Sequence, residues 1–351
     1  MDHYAGIDVS LECSSVCVVD ASGKIVREAK VASEPEALIG WFRSLRVELA
    51  RLGLEAGPLS QWLYAAMKEA GLAVELLETR HVNDAFKAMP VKSDRNDARN
   101  IAQLMRLGWF RPVHCKSMSA QETRAMLTAR KLIQAKLQDV ENSLRGILRG
   151  FGLKVGKTTK RGFATRINEL AAGHPALEVI AKATLAVHAV LLREFNGLEK
   201  RVRAMSLLDP KAKLLMSTPA VGPIISLTYA SAIDDPSRFI SSKRAGPLFG
   251  LTPKKHQSGE TDYSGRITKN GDASVREALY EAAHLILTKP IKGCPQLKSW
   301  AMRIAKRAGM SKAKVALARK LAVIMLRMLK DNAPFNAIAK TTAAKAVTAA
   351  A

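Results

Sequence analysis

The sequence predicts an α/β domain followed by all-α segments, and three observations carry that expectation. Runs rich in β-formers crowd the beginning of the chain, and apolar positions at helical spacing follow from Met126 onward. At 351 residues, 48% hydrophobic and 25% charged, the chain is also too long for one comfortable core. The expected divisions are an α/β domain over 1–117, a long-helix coiled-coil segment over 118–208, a mostly helical domain over 209–335, and a flexible tail over 336–351 made mostly of Ala, Thr and Lys.

Tyr4 to Val9, Ser14 to Asp20 and Lys24 to Val31 read as strands, with Ala21-Ser22-Gly23 as the turn between the last two. Ser33 with Glu36 is a capping-box signal for a helix through about Leu49, and Leu52 to Glu55 is a short strand ending at Gly57-Pro58. A helix to Gly71 follows, then a strand over Leu72 to Glu78. Ser93 caps a helix carrying Asp94, Asp97, Ile101 and Leu104. A strand meander followed by αβ alternation is the element order of a ribonuclease-H-like domain.

Two long helices come next. One carries Met126, Ile133, Leu137, Val140, Leu144 and Ile147; the other carries Ile180, Val187, Leu191, Phe195, Leu198, Val202 and Met205. The basic segment Lys154 to Arg166 between them permits either antiparallel packing within one chain or a coiled coil that joins protomers. From Asp209 the pattern is short helices and polar loops, ending in a basic helical run over Lys312 to Lys330.

Charge divides the chain. Residues 1–100 hold 12 Lys+Arg against 15 Asp+Glu, whereas residues 101–351 hold 43 against 16, a net of +27. The first part suits a carboxylate site and the rest suits a polyanion such as nucleic acid. Lys and Arg interrupt the apolar runs before the roughly 18 residues that a crossing helix needs, so no membrane span is expected. The start, Met1 to Asp8, lacks the pattern of a secretory signal, which places the protein in the cytoplasm. Cys13, Cys17, Cys115 and Cys294 show no metal spacing. Cys13 and Cys17 read as small buried hydrophobes, and the seven histidines are scattered, so any metal needs carboxylates.

The carboxylates are Asp8, Glu55, Asp94 and Asp97. Asp8 lies in an apolar strand, where an acid costs several kcal/mol unless it is satisfied. Glu55 ends a second such strand, and Asp94 and Asp97 share one face of a helical turn. Four converging acids make an oxygen site suited to Mg²⁺; alternatively, Asp94 and Asp97 merely favour the positive end of their helix. Ser217 to Pro223 is similar to a helix-hairpin-helix turn that presents backbone N–H groups to a phosphate, or is a plain interhelical turn. Gly250 to Asp272 reads as a long loop between helices. A serine there, Ser258 with Ser264 and Thr261 as rivals, has the hydroxyl to attack a phosphodiester. Lys254, Lys255, Arg266 and Lys269 around it, and Arg276 beyond, are the candidate nucleic-acid-binding cations.

In order and combination, Gly6-Ile7-Asp8-Val9-Ser10, Leu54-Glu55-Ala56-Gly57, Ser93-Asp94-Arg95-Asn96-Asp97-Ala98-Arg99, Gly250-Leu251-Thr252-Pro253, Gln257-Ser258-Gly259 and Lys269-Asn270-Gly271-Asp272 span nearly all the chain. This set resembles the DEDD transposases of bacterial insertion sequences, the insertion sequence one-ten type, which are bridge-RNA-guided serine recombinases. The resemblance implies a RuvC-like domain whose acids match Asp8, Glu55, Asp94 and Asp97, a coiled-coil segment, and a transposase domain whose catalytic serine matches Ser258. It implies Mg²⁺, target and donor DNA, a guide (bridge) RNA, and a homo-oligomer, a dimer of dimers in which the acids of one subunit meet the serine domain of another. One departure stands out. The family often has Pro-Gly where this chain has Pro219-Ala220, which questions a turn that needs positive φ at Ala220.

The expected function is therefore RNA-guided recombination through a covalent phosphoserine, in a cytoplasmic protein that joins the nucleoid when bound to DNA. The alternatives are a Mg²⁺-dependent junction-resolving nuclease that uses water, and a non-catalytic nucleic-acid-binding protein.

Overall fold

The computed structural model describes residues 2–87 and 93–336, and the chain divides between Lys116 and Ser117 into two compact units. The tail expected beyond 336 lies outside the described residues.

The first unit opens with the expected meander: β1 (His3–Asp8), β2 (Cys13–Asp20) and β3 (Ile25–Ala32), antiparallel in turn. Asp20 shapes the β2–β3 turn, its Oδ1 accepting from the backbone N–H groups of Ser22 at 2.9 Å and Lys24 at 3.0 Å. Then come α1 (Pro35–Ser44), β4 (Leu49–Glu55), α2 (Ser60–Glu69), β5 (Val74–Leu77), α3 (Thr79–Phe86) and α4 (Asp94–Leu107). β4 lies parallel to β1 and β5 parallel to β4, so the five-stranded sheet has the order β3-β2-β1-β4-β5.

Alternation along the central strands sends one set of side chains to each face. Ala5, Ile7, Leu52 and Leu54 pack with Leu38 and Phe42 of α1 and Leu63 and Met67 of α2, and each fully buried leucine contributes about 2 kcal/mol. Tyr4 and Cys17 pack instead toward Ala98 and Ala102 of α4. Gly6 makes that approach possible: a Cβ there would overlap the carbonyl oxygen of Ala98 and the amide nitrogen of Ala102. Gly6→Ala is expected to destabilise the unit by about 1–3 kcal/mol or more, read from its thermal unfolding; an unchanged melting temperature would contradict the close packing.

Three local expectations are corrected. Ser33 does not open a capping box: it is buried, with its Oγ donating to the Ser10 carbonyl at 2.7 Å and paired with the Ser14 hydroxyl at 2.7 Å, and Glu34 takes the N-cap place. The helix stops at Ser44 rather than near Leu49, because Arg46 adopts φ 51° and Leu49 already pairs with His3. Cys13 is exposed at the start of β2, whereas Cys17 is buried. Burial above all, then Glu28, pushes the Cys17 thiol up to about 12, so it stays protonated and inert.

The second unit begins with α5 (Met118–Gly150), α6 (Phe163–Ala171) and α7 (Pro175–Leu208). Leu144 and Leu148 of α5 meet Leu177 and Ala181 near the start of α7, while Met126 and Leu127 lie beside Val202 near its end. The two long helices therefore pack antiparallel within the chain. The buried face of α7 is Ala181, His188, Phe195 and Val202 at steps of seven; Ile180 and Val187, assigned to the seam from sequence, are exposed. His188 holds its place through Glu141 at 3.2 Å and the Phe163 ring. α7 also corrects the membrane argument: it contains 18 residues of mean hydropathy 1.6 with no more than two charges, long and apolar enough to cross a membrane by length and composition. One of its faces packs instead on α5 and α6.

The unit continues with α8 (Pro210–Leu215), α9 (Pro223–Ile233), α10 (Ala245–Leu248), β6 (Pro253–Ser258), β7 (Thr261–Ile267), α11 (Ala273–Thr288), α12 (Pro295–Ala308) and α13 (Met310–Asp331). Leu279, Ala283, Leu317, Leu321 and Met325 anchor its core. Between α8 and α9, Ala220 does adopt φ 63°, so the helix–turn–helix forms without the glycine. Ala220→Gly relieves a left-handed Cβ penalty of about 1–2 kcal/mol against a smaller gain in chain entropy, and a modestly raised melting temperature is expected.

Candidate functional site

Asp8 and Glu55 end the adjacent parallel strands β1 and β4, where Ile7 pairs with Leu54. By strand alternation they share the face of Gly6 and Gly53, the face that α4 covers. Both line one cavity of about 330 Å³, together with Ser10 and Gly57.

α4 runs antiparallel to β1. Its Met105 carbonyl accepts from Arg51 Nη1 at 3.0 Å near the start of β4, and its Ala98 lies over Gly6. Asp94 is four residues beyond Ala98, about 6 Å of helix, and Asp8 is two residues beyond Gly6, about 6.6 Å of strand. Asp94 and Asp97 therefore stand at the same end of the sheet as Asp8 and Glu55. They do not line the Asp8–Glu55 cavity, and no group of three metal-ligating side chains is assembled among the described residues. Ser93 caps α4 as expected, accepting from the Asn96 N–H at 3.3 Å.

Glu28 of β3 fixes that helix end, and sequence reading missed it. Its carboxylate accepts from Arg95 Nε at 2.8 Å, Arg99 Nη2 at 2.9 Å and Arg99 Nε. The hydrogen bond from Arg99 leads, with Arg95 adding, in holding Glu28 down at about 2 against burial. Because the folded value lies below the ordinary 4.5, this stabilisation is complete above about pH 4.5 and is lost as pH falls through about 2. Glu28→Gln is expected to flatten the acid limb of stability between those values, as measured by chemical denaturation along a pH series. An unchanged limb would remove Glu28 from the account. No local signal in the sequence marks it, because Glu28 lies 67 and 71 residues from Arg95 and Arg99.

The predicted loop from Gly250 to Asp272 is a β-hairpin. It escaped sequence reading because every residue of β6 is exposed, so no apolar alternation marks it. Ser258 ends β6 opposite Thr261, across the turn Gly259-Glu260, and is exposed at the tip. His256 and Tyr263 share its face and stack with ring centroids 4.8 Å apart. Ser264 pairs with Lys255 on the opposite face, which separates that rival from Ser258; Thr261 remains beside it. Lys255 pairs with Asp262 at 3.2 Å, while Lys254, Arg266 and Lys269 are exposed.

The Lys269–Asp272 motif anchors the hairpin. Asp272 caps α11 by accepting from the Ser274 N–H at 2.9 Å and pairs with Arg124 at 2.6 Å. A Cβ at Gly271, whose φ is +74°, would overlap the Leu248 carbonyl oxygen. Arg276 departs from its expected role: its Nη1 donates to the carbonyls of Phe249, Asn270 and Gly271 at 3.2, 2.9 and 3.0 Å. It holds the hairpin base rather than offering that nitrogen to a phosphate.

Comparison with known proteins matches these two regions separately. Residues 5–152 match the DEDD transposase family of the IS110 type, and residues 212–299 match the Transposase IS116/IS110/IS902 family. The transposase for insertion sequence element IS1111A of Coxiella burnetii is 27% identical over 330 residues, covering 92% of this chain and 88% of that one. A probable family 20 transposase of Pseudomonas aeruginosa is 24% identical over 337 residues, covering 92% and 96%. A pilin gene-inverting protein of Moraxella bovis is 29% identical over 132 residues, 37% of this chain and 40% of that one. With a carboxylate-bearing sheet in the first matched region and a serine-bearing hairpin in the second, the chain carries IS110-family DEDD transposase domains, has IS110/IS1111 transposases as homologues, and is an enzyme acting as a DNA transposase.

Proposed function

We propose that the chain is an RNA-guided transposase that cuts and rejoins DNA through a covalent phosphoserine at Ser258. The observation that carries the reading is the placement of that hydroxyl, exposed at a hairpin tip whose strands bear Lys254, Lys255 and Arg266. The Ser258 Oγ attacks phosphorus as the bond to the 3′ oxygen breaks; the oxygen leaves with a proton as a free hydroxyl, and the phosphate stays esterified to the serine. A 3′-hydroxyl from another strand reverses the step and frees Ser258, so the phosphodiester energy is kept and no nucleotide cofactor is required. The flanking cations stabilise charge that builds on the phosphoryl oxygens.

The sheet order supports a RuvC-like first domain. Its donors fit Mg²⁺, which is commonly held by one or two carboxylates with phosphate oxygens completing the shell. Asp8 and Glu55 are the residues that would hold the ion, with Asp94 and Asp97 approaching from α4. Bound there, Mg²⁺ supplies neutralising charge to a DNA phosphate. The pilin gene-inverting relative favours cutting and rejoining over cutting alone, since inversion by its name requires both.

Partners follow the same reading: target and donor DNA, a guide RNA that pairs with both, and further copies of the chain, with the work done in the cytoplasm at the nucleoid. Val179, Ile180, Val187 and Val190 form an exposed apolar stripe on α7, away from its packed face, and suit a neighbouring protomer.

A second reading, a junction-resolving nuclease, is favoured by one observation: Asp8 and Glu55 share a cavity within a unit that lacks Ser258. There the same acids, with the Mg²⁺ they would hold, would activate water, and Ser258 would be dispensable. Purified protein with matched or reprogrammed RNA and two DNA substrates separates the readings. Recombination that follows the RNA supports the proposal; recombination that ignores it, or hydrolysis without joining, overturns it.

A further inference from the structure

On the face of the hairpin opposite Ser258, the second unit contains a cleft of about 1130 Å³. Its wall is one face of α13: Lys312, Val315, Ala316, Arg319, Lys320 and Val323, at the spacing of a single helical stripe. Leu251 and Ile267 close the floor, Trp300 of α12 stands at the side, and Arg266 and Lys269 complete the rim. The lining thus combines an apolar floor with five cationic residues and no acidic one.

That combination selects among polyanions. A duplex presents phosphates and sugars outward and gains little from an apolar floor, whereas an unpaired strand also offers base faces that stack and bury. Trp300 is the only tryptophan beyond residue 116 and lies beneath Lys320, whose Nζ is 4.2 Å from the ring. Burial first, then Arg303, lowers Lys320 from its ordinary value, a cost that a phosphate opposite would offset. The hairpin itself is about 10 Å through, less than the roughly 12 Å width of a DNA major groove. A strand in the cleft would therefore lie near enough to a phosphate before Ser258 for both to come from one opened duplex.

We propose that this cleft binds single-stranded DNA, holding the unpaired bases of an opened DNA site on its apolar floor and their phosphates on its basic rim. The inference rests on the reading of the chain as a DNA-cutting enzyme, but it concerns a binding surface that does not include Ser258.

The test is binding of labelled oligo-dT of about 12 nucleotides, oligo-U RNA of equal length and duplex DNA to the full chain, followed by fluorescence anisotropy. Ala316→Trp fills the cleft from its α13 wall without altering charge; it should weaken oligo-dT binding at least tenfold and duplex binding less than twofold. Lys312→Glu, at the exposed rim, should weaken oligo-dT binding if the filled variant misfolds. Oligo-dT should also quench Trp300 emission, a signal that Trp300→Phe removes. Ser258→Ala should bind oligo-dT as the parent does, so loss of the phosphoserine reading would leave this result intact.

Three outcomes overturn the proposal: oligo-dT binding within twofold of the parent in both cleft variants; at least tenfold tighter oligo-U binding that the same variants abolish, which would make RNA the occupant; or unchanged DNA binding with altered self-association, which would assign the cleft to a second copy.

Discussion

Ser258→Ala is expected to abolish strand exchange, with a loss of at least about 10⁴-fold, while leaving RNA and DNA binding unchanged. Only a hydroxyl disappears. No charge changes, and Ser258 is exposed at the end of its strand, so neither the core nor the cationic surface is disturbed. The size of the loss follows from the role: a nucleophile that forms the covalent bond cannot be replaced by better binding elsewhere. A residue that merely completed the Ser258-Gly259-Glu260-Thr261 turn would instead leave the rate nearly intact. Denaturing gels of the reaction should show no protein–DNA adduct. If Ser264 or Thr261 were the nucleophile, Ser258→Ala would still give adduct in normal yield.

The second large effect is expected at the acids. Asp8→Asn and Glu55→Gln preserve size but each removes one anionic oxygen from the shared cavity, and recombination should fall at least about 100-fold, because even groups that only orient metal ligands contribute 10–100-fold. The corresponding amides at Asp94 and Asp97 divide two explanations. As metal-approaching groups they should also cost activity; as helix-end charges they should cost only about 0.3–1 kcal/mol of stability each, with activity retained. Titrating Mg²⁺ against activity separates the two, since loss of a ligand raises the metal concentration required, whereas a weaker helix end does not.

Much of this architecture is legible in the sequence where burial writes a period into the chain. Ala5, Ile7, Leu52 and Leu54 alternate because one sheet face is buried under α1 and α2, and the meander was readable for that reason. β6 and β7 were not, because nearly all their side chains are exposed and their pairing leaves no apolar trace. α3 was missed because it buries only Val82. The seam of α7 was displaced because the helix is apolar on two faces, and its buried positions include Ala181 and His188, which carry little hydrophobic signal beside Ile180 and Val187. Within the site, Asp8 and Glu55 were legible as acids at the ends of apolar strands. Glu28 was not, since its role depends on β3 lying two strands away from β1 and level with Arg95 and Arg99 of α4, a relation that only the folded sheet creates.

The proposed strand exchange depends on a covalent bond between DNA and one particular hydroxyl. The most direct measurement is to trap the adduct formed with Mg²⁺, guide RNA and DNA, digest it, and locate the nucleotide-bearing peptide by mass spectrometry. The expected result is a phosphodiester remnant on Ser258. A remnant on Ser264 or Thr261, or cleaved DNA with no remnant on any serine or threonine, would contradict it.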